Sequence, residues 1–84
     1  MNRDRAMILV ICLLGPKTLR QIRRVYGRLV GGWISPKRVR EAVTWGIGQG
    51  YMGQEGGLFH VTDEGLLALD GHLDVNGCSG TDVG

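Results

Sequence analysis

The first pattern in the chain is an unbroken apolar run, Ala6–Leu14, ended by a glycine and a proline. We predict a helix over about residues 3–14, with Asn2 or Asp4 as its N-cap. Because apolar residues occupy every face of this helix, it should be buried on more than one side. A buried strand over 7–14 fits the composition almost as well, since a short apolar run does not reveal its period.

The next segment has the period of an amphipathic helix. The residues Thr18-Leu19-Arg20-Gln21 match a capping box, which starts the helix at Thr18. At about 100° per residue, the apolar side chains fall in one arc of about 140°: Leu19, Ile22, Val25, Tyr26, Leu29 and Val30. The basic side chains fall in the opposite arc: Arg20, Arg23, Arg24 and Arg28. This helix therefore has a core face and an arginine face.

A third helix is predicted at about 36–49, with Ser35 as its N-cap and Pro36 at its first position. Its inward face should carry Val39, Ala42, Val43, Gly46, Ile47 and Gly50. Its outward face should carry Lys37, Arg40, Glu41, Thr44 and Gly48. In the turn before this helix, we expect Trp33 and Ile34 to pack against the core.

Two short strands should follow, Tyr51–Gln54 and Leu58–Thr62, because Phe59 and Val61 alternate with a histidine. The Gly56-Gly57 pair between them supplies the positive φ that a tight hairpin turn needs.

A last helical segment should be capped by Thr62 or Asp63 and contain three leucines, Leu66, Leu67 and Leu69. From Gly71 onward, glycine and polar residues predominate without an apolar period. We therefore predict one domain, residues 1–70, and a flexible tail, residues 71–84.

Charge is divided along the chain. Residues 1–40 hold ten bases against one acid, Asp4, a balance of +9, whereas residues 41–84 hold seven acids and no Lys or Arg, a balance of −7. The overall charge of +2 hides this division. A basic face of this kind creates a surface field, and its first candidate partner is nucleic acid.

Other function classes find little support in the composition. The sequence contains no Ser/His/Asp set, no paired carboxylates in a predictable pocket and no phosphate-binding glycine loop, so we expect neither catalysis nor a cofactor. Two distant cysteines, Cys12 and Cys78, and two histidines, His60 and His72, predict neither a disulfide framework nor a metal site. The nine apolar residues 6–14 are too few to span a bilayer, which takes about 20 residues, and no signal-peptide cleavage site follows them. We expect a cytoplasmic protein.

The segment from Ser35 to Leu69 resembles a known family. Three apolar helix positions are followed by Gly50-Tyr51-Met52, a hairpin and Phe59-His60-Val61-Thr62-Asp63-Glu64-Gly65. This order is similar to the recognition helix, "G-Y-I" exit, wing and "Y-x-L-T-x-x-G" return of winged helix-turn-helix regulators of the MarR and PadR type. The resemblance covers about residues 4–70. It implies an α+β winged-helix fold: a three-helix core, a two-stranded wing and a short C-terminal helix.

The resemblance also implies binding of double-stranded DNA, usually as a homodimer, with the third helix in the major groove. We expect phosphate contacts from Lys17, Arg20, Arg23, Arg24 and Arg28. We expect base-edge contacts from Lys37, Arg38, Arg40 and Thr44. Glu41 should pair with Lys37 one turn away, and Trp45 should pack beside Trp33 or the wing. The apolar first helix and the leucines of the last helix should supply the dimer contact.

The main alternative is a winged-helix protein-interaction module whose basic face meets an acidic partner in a transcription or replication assembly. Binding of single-stranded nucleic acid or RNA needs aromatic side chains on the basic face, where only Trp45 and Trp33 could serve.

Overall fold

The computed structural model of the protein describes residues 1–77, with side chains as far as residue 72. In these residues it has four helices and one two-stranded antiparallel sheet, which is an α+β fold. The elements follow in the order α1 (Arg3–Leu13), α2 (Leu19–Val30), α3 (Pro36–Gly48), β1 (Met52–Glu55), β2 (Leu58–Val61) and α4 (Asp63–Gly77).

The first three helices begin at the predicted caps. The Asn2 side chain accepts a hydrogen bond from the Arg5 amide at 2.9 Å. Thr18 and Gln21 form the reciprocal capping box that their spacing predicts. Ser35 caps α3, with proline at its first position. The helical course of α1 shows that the alternative strand over 7–14 is wrong.

Helix α1 lies at the centre of the core and packs against α2, α3, α4 and β2. Its buried side chains are Ile8, Leu9, Ile11 and Cys12. They cover more than one side of the helix, as the continuous apolar run predicts. The rest of the buried core comes from the other elements and the turn before α3: Ile22, Tyr26, Ile34, Val39, Ala42, Val43, Met52, Phe59 and Leu69.

The two glycines form the hairpin turn as predicted, whereas Glu55, expected between the strands, belongs to β1. Glu55 pairs with Leu58 in the register of β1 and β2, and Gly56 and Gly57 between them have φ of 58° and 80°. The other edge of β2 is also occupied, because Lys17 and Phe59 exchange two main-chain hydrogen bonds of 3.0 and 2.8 Å. The segment between α1 and α2 is therefore joined to β2 close to the hairpin turn.

Thr62 immediately precedes α4, and its hydroxyl accepts a hydrogen bond from the Gly65 amide at 3.1 Å. The helix continues to Gly77, beyond residue 70, where we predict the boundary between the domain and its tail. A helical glycine costs only about 1 kcal/mol relative to alanine, and no proline follows to stop the helix. The remainder of the predicted tail, 78–84 with Cys78, lies outside the described residues.

Four predictions of burial are wrong. Trp33 is 75% exposed, although its neighbour Ile34 is buried. Leu29 and Ile47 lie in the last turns of their helices and are also exposed. Gly50, predicted on the inward face of the third helix, follows the end of α3 and is exposed. A helical period gives the direction of a side chain, but not how far the neighbouring elements extend along the helix.

Burial raises the pKa of the Cys12 thiol from 9.0 to about 11. Since the folded-state pKa is raised, the stability that this thiol contributes is present below pH 9.0 and is lost as the pH rises towards 11. We expect the free energy of unfolding of the wild type to fall more steeply over this range than that of Cys12→Val, measured by urea denaturation. Parallel pH profiles of the two proteins would contradict the raised pKa.

Candidate nucleic-acid interface

Three arginines lie exposed along the outward face of α2. Arg20, Arg24 and Arg28 follow one another at intervals of one helical turn. None of them has a hydrogen-bond or ion-pair partner among the side chains described, residues 1–72. Like charges at this spacing repel one another by a few tenths of a kcal/mol per pair. The face is therefore an array of uncompensated positive charge.

The outward face of α3 carries Lys37, Arg40 and Thr44, all exposed as predicted. The predicted ion pair between Lys37 and Glu41 is wrong, because no such pair forms in the described part of the chain. Lys37 also stands in the first turn of the helix, where the macrodipole disfavours a cation by about 0.3–1 kcal/mol. This cation is stabilised neither by a side-chain partner nor by its position in the helix.

Arg38 differs from these cations because it forms an ion pair with Asp4 of α1. The other carboxylate oxygen of Asp4 accepts a hydrogen bond of 2.6 Å from the Tyr26 hydroxyl of α2. The Tyr26 hydrogen bond and the Arg38 guanidinium hold the pKa of Asp4 below its usual value, and the same bond raises the pKa of Tyr26. Asp4 thus connects α1, α2 and α3, and Arg38, predicted to contact base edges, is engaged by a carboxylate of its own chain.

Arg23 and Lys17 are also partly engaged within the protein. The Arg23 guanidinium carbon lies 5.9 Å from the centre of the Trp33 ring, and its Nε is buried without a hydrogen-bond partner among the described residues. The Lys17 ammonium donates to the Gly15 carbonyl at 3.2 Å. Of the predicted phosphate contacts, these two are less free to meet a ligand than the three exposed arginines.

A basic residue that the sequence analysis did not include lies beside α3. The guanidinium carbon of Arg5 is 4.6 Å from the centre of the Trp45 ring, which meets the Tyr51 ring edge-on at 5.4 Å. Trp45 therefore packs against α1 and the start of the hairpin. Of the two predicted packing partners, Trp33 and the wing, the contact with Tyr51 confirms packing beside the hairpin. Arg5 adds a cation along the flank of α3.

The tip of the hairpin carries no basic side chain. Gln54 and Glu55 precede the turn, and Leu58, which is exposed, follows it. This tip therefore offers no cation to a phosphate, in contrast to the outward faces of α2 and α3.

Among the side chains of residues 1–72, no three of His, Cys, Asp or Glu are grouped so that they could hold a metal ion. None of the four helices described combines the length and the apolar character that crossing a bilayer requires. An open depression of about 300 Å³ between the start of α1 and α3 is lined by Asn2, Asp4, Arg5, Arg38, Glu41 and Ala42.

In comparisons with protein-family models, curated proteins and solved structures, nothing matches this chain. Five exposed cations on two packed helices are the centre of the candidate site: Arg20, Arg24, Arg28, Lys37 and Arg40.

Proposed function

We propose that this protein is a winged helix-turn-helix domain that binds double-stranded DNA in a sequence-specific manner, as a small transcriptional regulator. One observation carries the proposal. The five exposed cations of α2 and α3 have no acidic partner among the described residues. A polyanion would neutralise this array and gain the entropy of counterion release.

The layout of the elements supports the winged-helix interpretation. Helix α3 packs on α1 and α2 and leads directly into the hairpin, whose second strand leads into α4. In this arrangement α3 is the recognition helix and the hairpin is the wing. Because the hairpin tip has no basic side chain, the helices would supply the phosphate contacts.

The residues divide by position into two roles. Arg20, Arg24 and Arg28 on α2 would contact phosphates, which fixes the orientation of the protein without reading sequence. Arg40 and Lys37 on α3 suit the N7 and O6 acceptors of guanine, and Thr44 suits a thymine methyl group or a phosphate. Arg38 would reach DNA only by sharing or leaving its ion pair with Asp4.

The first test is fluorescence anisotropy of a random-sequence duplex titrated with protein at several salt concentrations. We expect micromolar binding that falls steeply with salt, because displaced counterions dominate the affinity. Arg24→Ala should lower the slope of log K against log salt by about 1. The variant should have the same thermal unfolding as the wild type, since the Arg24 side chain is exposed and unpaired among the described residues.

Two further variants separate the roles. Arg40→Ala should weaken a selected specific site by about 1–3 kcal/mol more than random DNA, whereas Arg24→Ala should weaken both alike. Asp70→Asn is the control: it changes the net charge by one unit at a position on α4, outside the proposed interface. We expect it to leave the slope of log K against log salt unchanged. No binding at low salt, or equal and negligible effects of both arginine changes on every duplex, would reject the proposal.

The second candidate is a protein-interaction module whose basic face meets an acidic partner. Two observations favour it. The hairpin tip has no basic side chain, and Trp33 is exposed beside Arg23. Tryptophan and arginine are enriched at interaction hot spots. It becomes the leading interpretation if duplex DNA does not bind at low salt.

A further inference from the structure

The outward face of α4 combines exposed leucines with carboxylates. Leu66 and Leu67 are 45% and 70% exposed. Asp63, Glu64 and Asp70 are exposed beside them and form no ion pair with the side chains of residues 1–72. We name these five residues the acidic leucine face. An apolar centre with a polar rim is the anatomy of a protein interface.

The outward face of α2 has the complementary chemistry. Arg20, Arg24 and Arg28 are exposed and unpaired among the described residues, and the exposed ring of Trp33 lies under the guanidinium of neighbouring Arg23. We name this set the arginine–tryptophan face. It offers positive charge and one large apolar surface, where the acidic leucine face offers negative charge and two apolar side chains.

We propose that the acidic leucine face of one copy of this chain docks on the arginine–tryptophan face of a second copy. The two faces of a single copy remain exposed, so they do not cover each other. A symmetric contact between two α4 helices would bring six carboxylates together, because each face carries three and no base follows Arg40. Such like-charge contact is unfavourable, whereas the head-to-tail contact pairs opposite charges.

A head-to-tail contact leaves one face of each kind open at the ends of the assembly, so it adds further copies unless the rotation closes a ring. The contact also involves Arg20, Arg24 and Arg28, the arginines to which we assign phosphate contacts. Self-association and DNA binding would therefore compete. Self-association is measured without DNA and DNA binding is measured by anisotropy. A result that contradicts the self-association proposal is therefore distinguishable from one that contradicts the proposed function.

The test is sedimentation velocity of the full chain at tens of micromolar, in low and high salt. We expect the wild type to associate in low salt and to dissociate as salt screens the charges. Leu67→Lys places a cation in the acidic leucine face, and Arg24→Ala/Arg28→Ala removes charge from the other face. Each variant alone should associate more than about tenfold more weakly than the wild type. All the altered side chains are exposed, so unchanged thermal unfolding serves as the folding control.

An equimolar mixture of the two variants distinguishes this contact from a symmetric one. Leu67→Lys retains the arginine–tryptophan face and the double variant retains the acidic leucine face, so one intact contact can form between them. We expect a one-to-one dimer that does not grow. A wild type that stays monomeric in low salt, a mixture that stays monomeric, or variants that associate like the wild type would each overturn the proposal.

Discussion

Gly65→Ala is expected to destabilise the protein by about 3 kcal/mol, because the added methyl group overpacks a contact between main chains. A Cβ at this position would lie 2.1 Å from the carbonyl oxygen of Tyr51 and 2.9 Å from a methyl carbon of Val61. The carbonyl cannot move aside easily, since it accepts a hydrogen bond from the Thr62 amide at 2.9 Å. In a domain of this size, we expect Tm to fall by more than about 10 °C.

Two other glycines provide matched controls. Gly71→Ala, in the same helix, has nothing within 4 Å of the new methyl group and should stabilise the protein by up to about 1 kcal/mol. Gly46→Ala would meet the Met52 sulfur at 2.8 Å, and its effect should lie between the two because a thioether side chain can move. Equal stability of Gly65→Ala and Gly71→Ala, measured by thermal and urea unfolding, would show that α4 does not approach Tyr51 so closely.

Asp4→Ala should have the second-largest effect, about 2 kcal/mol, because it leaves the Tyr26 hydroxyl without its acceptor. It also removes the only acid that pairs with Arg38 in the described residues. Tyr26→Phe removes the same hydrogen bond from the other side and should cost less, because Asp4 then retains Arg38. A double-mutant cycle of Asp4→Ala and Tyr26→Phe should give a coupling energy of about 0.5–3 kcal/mol, and additive effects would contradict the contact.

The pH dependence of this effect follows from the lowered pKa of Asp4. A carboxyl group with a lowered folded-state pKa stabilises the fold above its unfolded pKa, and this contribution is lost as the pH falls through the folded value. The stability difference between wild type and Asp4→Ala should therefore be constant near neutral pH and shrink below the ordinary value of 3.8. A difference that persists unchanged in acid would point to packing instead of charge.

The sequence predicted the local parts of the fold well, because they depend on residues close together in the chain. Caps such as Asn2, Thr18 and Ser35 act over three positions, and the hairpin turn needs only the positive φ of its two glycines. The extension of α4 past Gly71 was missed because a single glycine is a weak signal for the end of a helix.

The candidate site was predictable only in part. The helical period placed Arg20, Arg24 and Arg28 on the exposed face, but Arg23 lies at the border of that arc, about 20° from Val30, and is partly covered. The ion pair between Asp4 and Arg38 joins residues 34 positions apart, which no local pattern can predict. Its one signal was that Asp4 is the only acid among the first forty residues.

The main-chain bridge between Lys17 and Phe59 has a consequence for amide hydrogen exchange. Both amides donate across the bridge, and Phe59 belongs to the buried core, so they should exchange only when most of the domain unfolds. Gly56 and Gly57, in the exposed turn just before this part of β2, should have amides that exchange through local opening. The amide of Phe59 then reports global stability while the amides of the adjacent turn report local motion, a contrast contained within four residues.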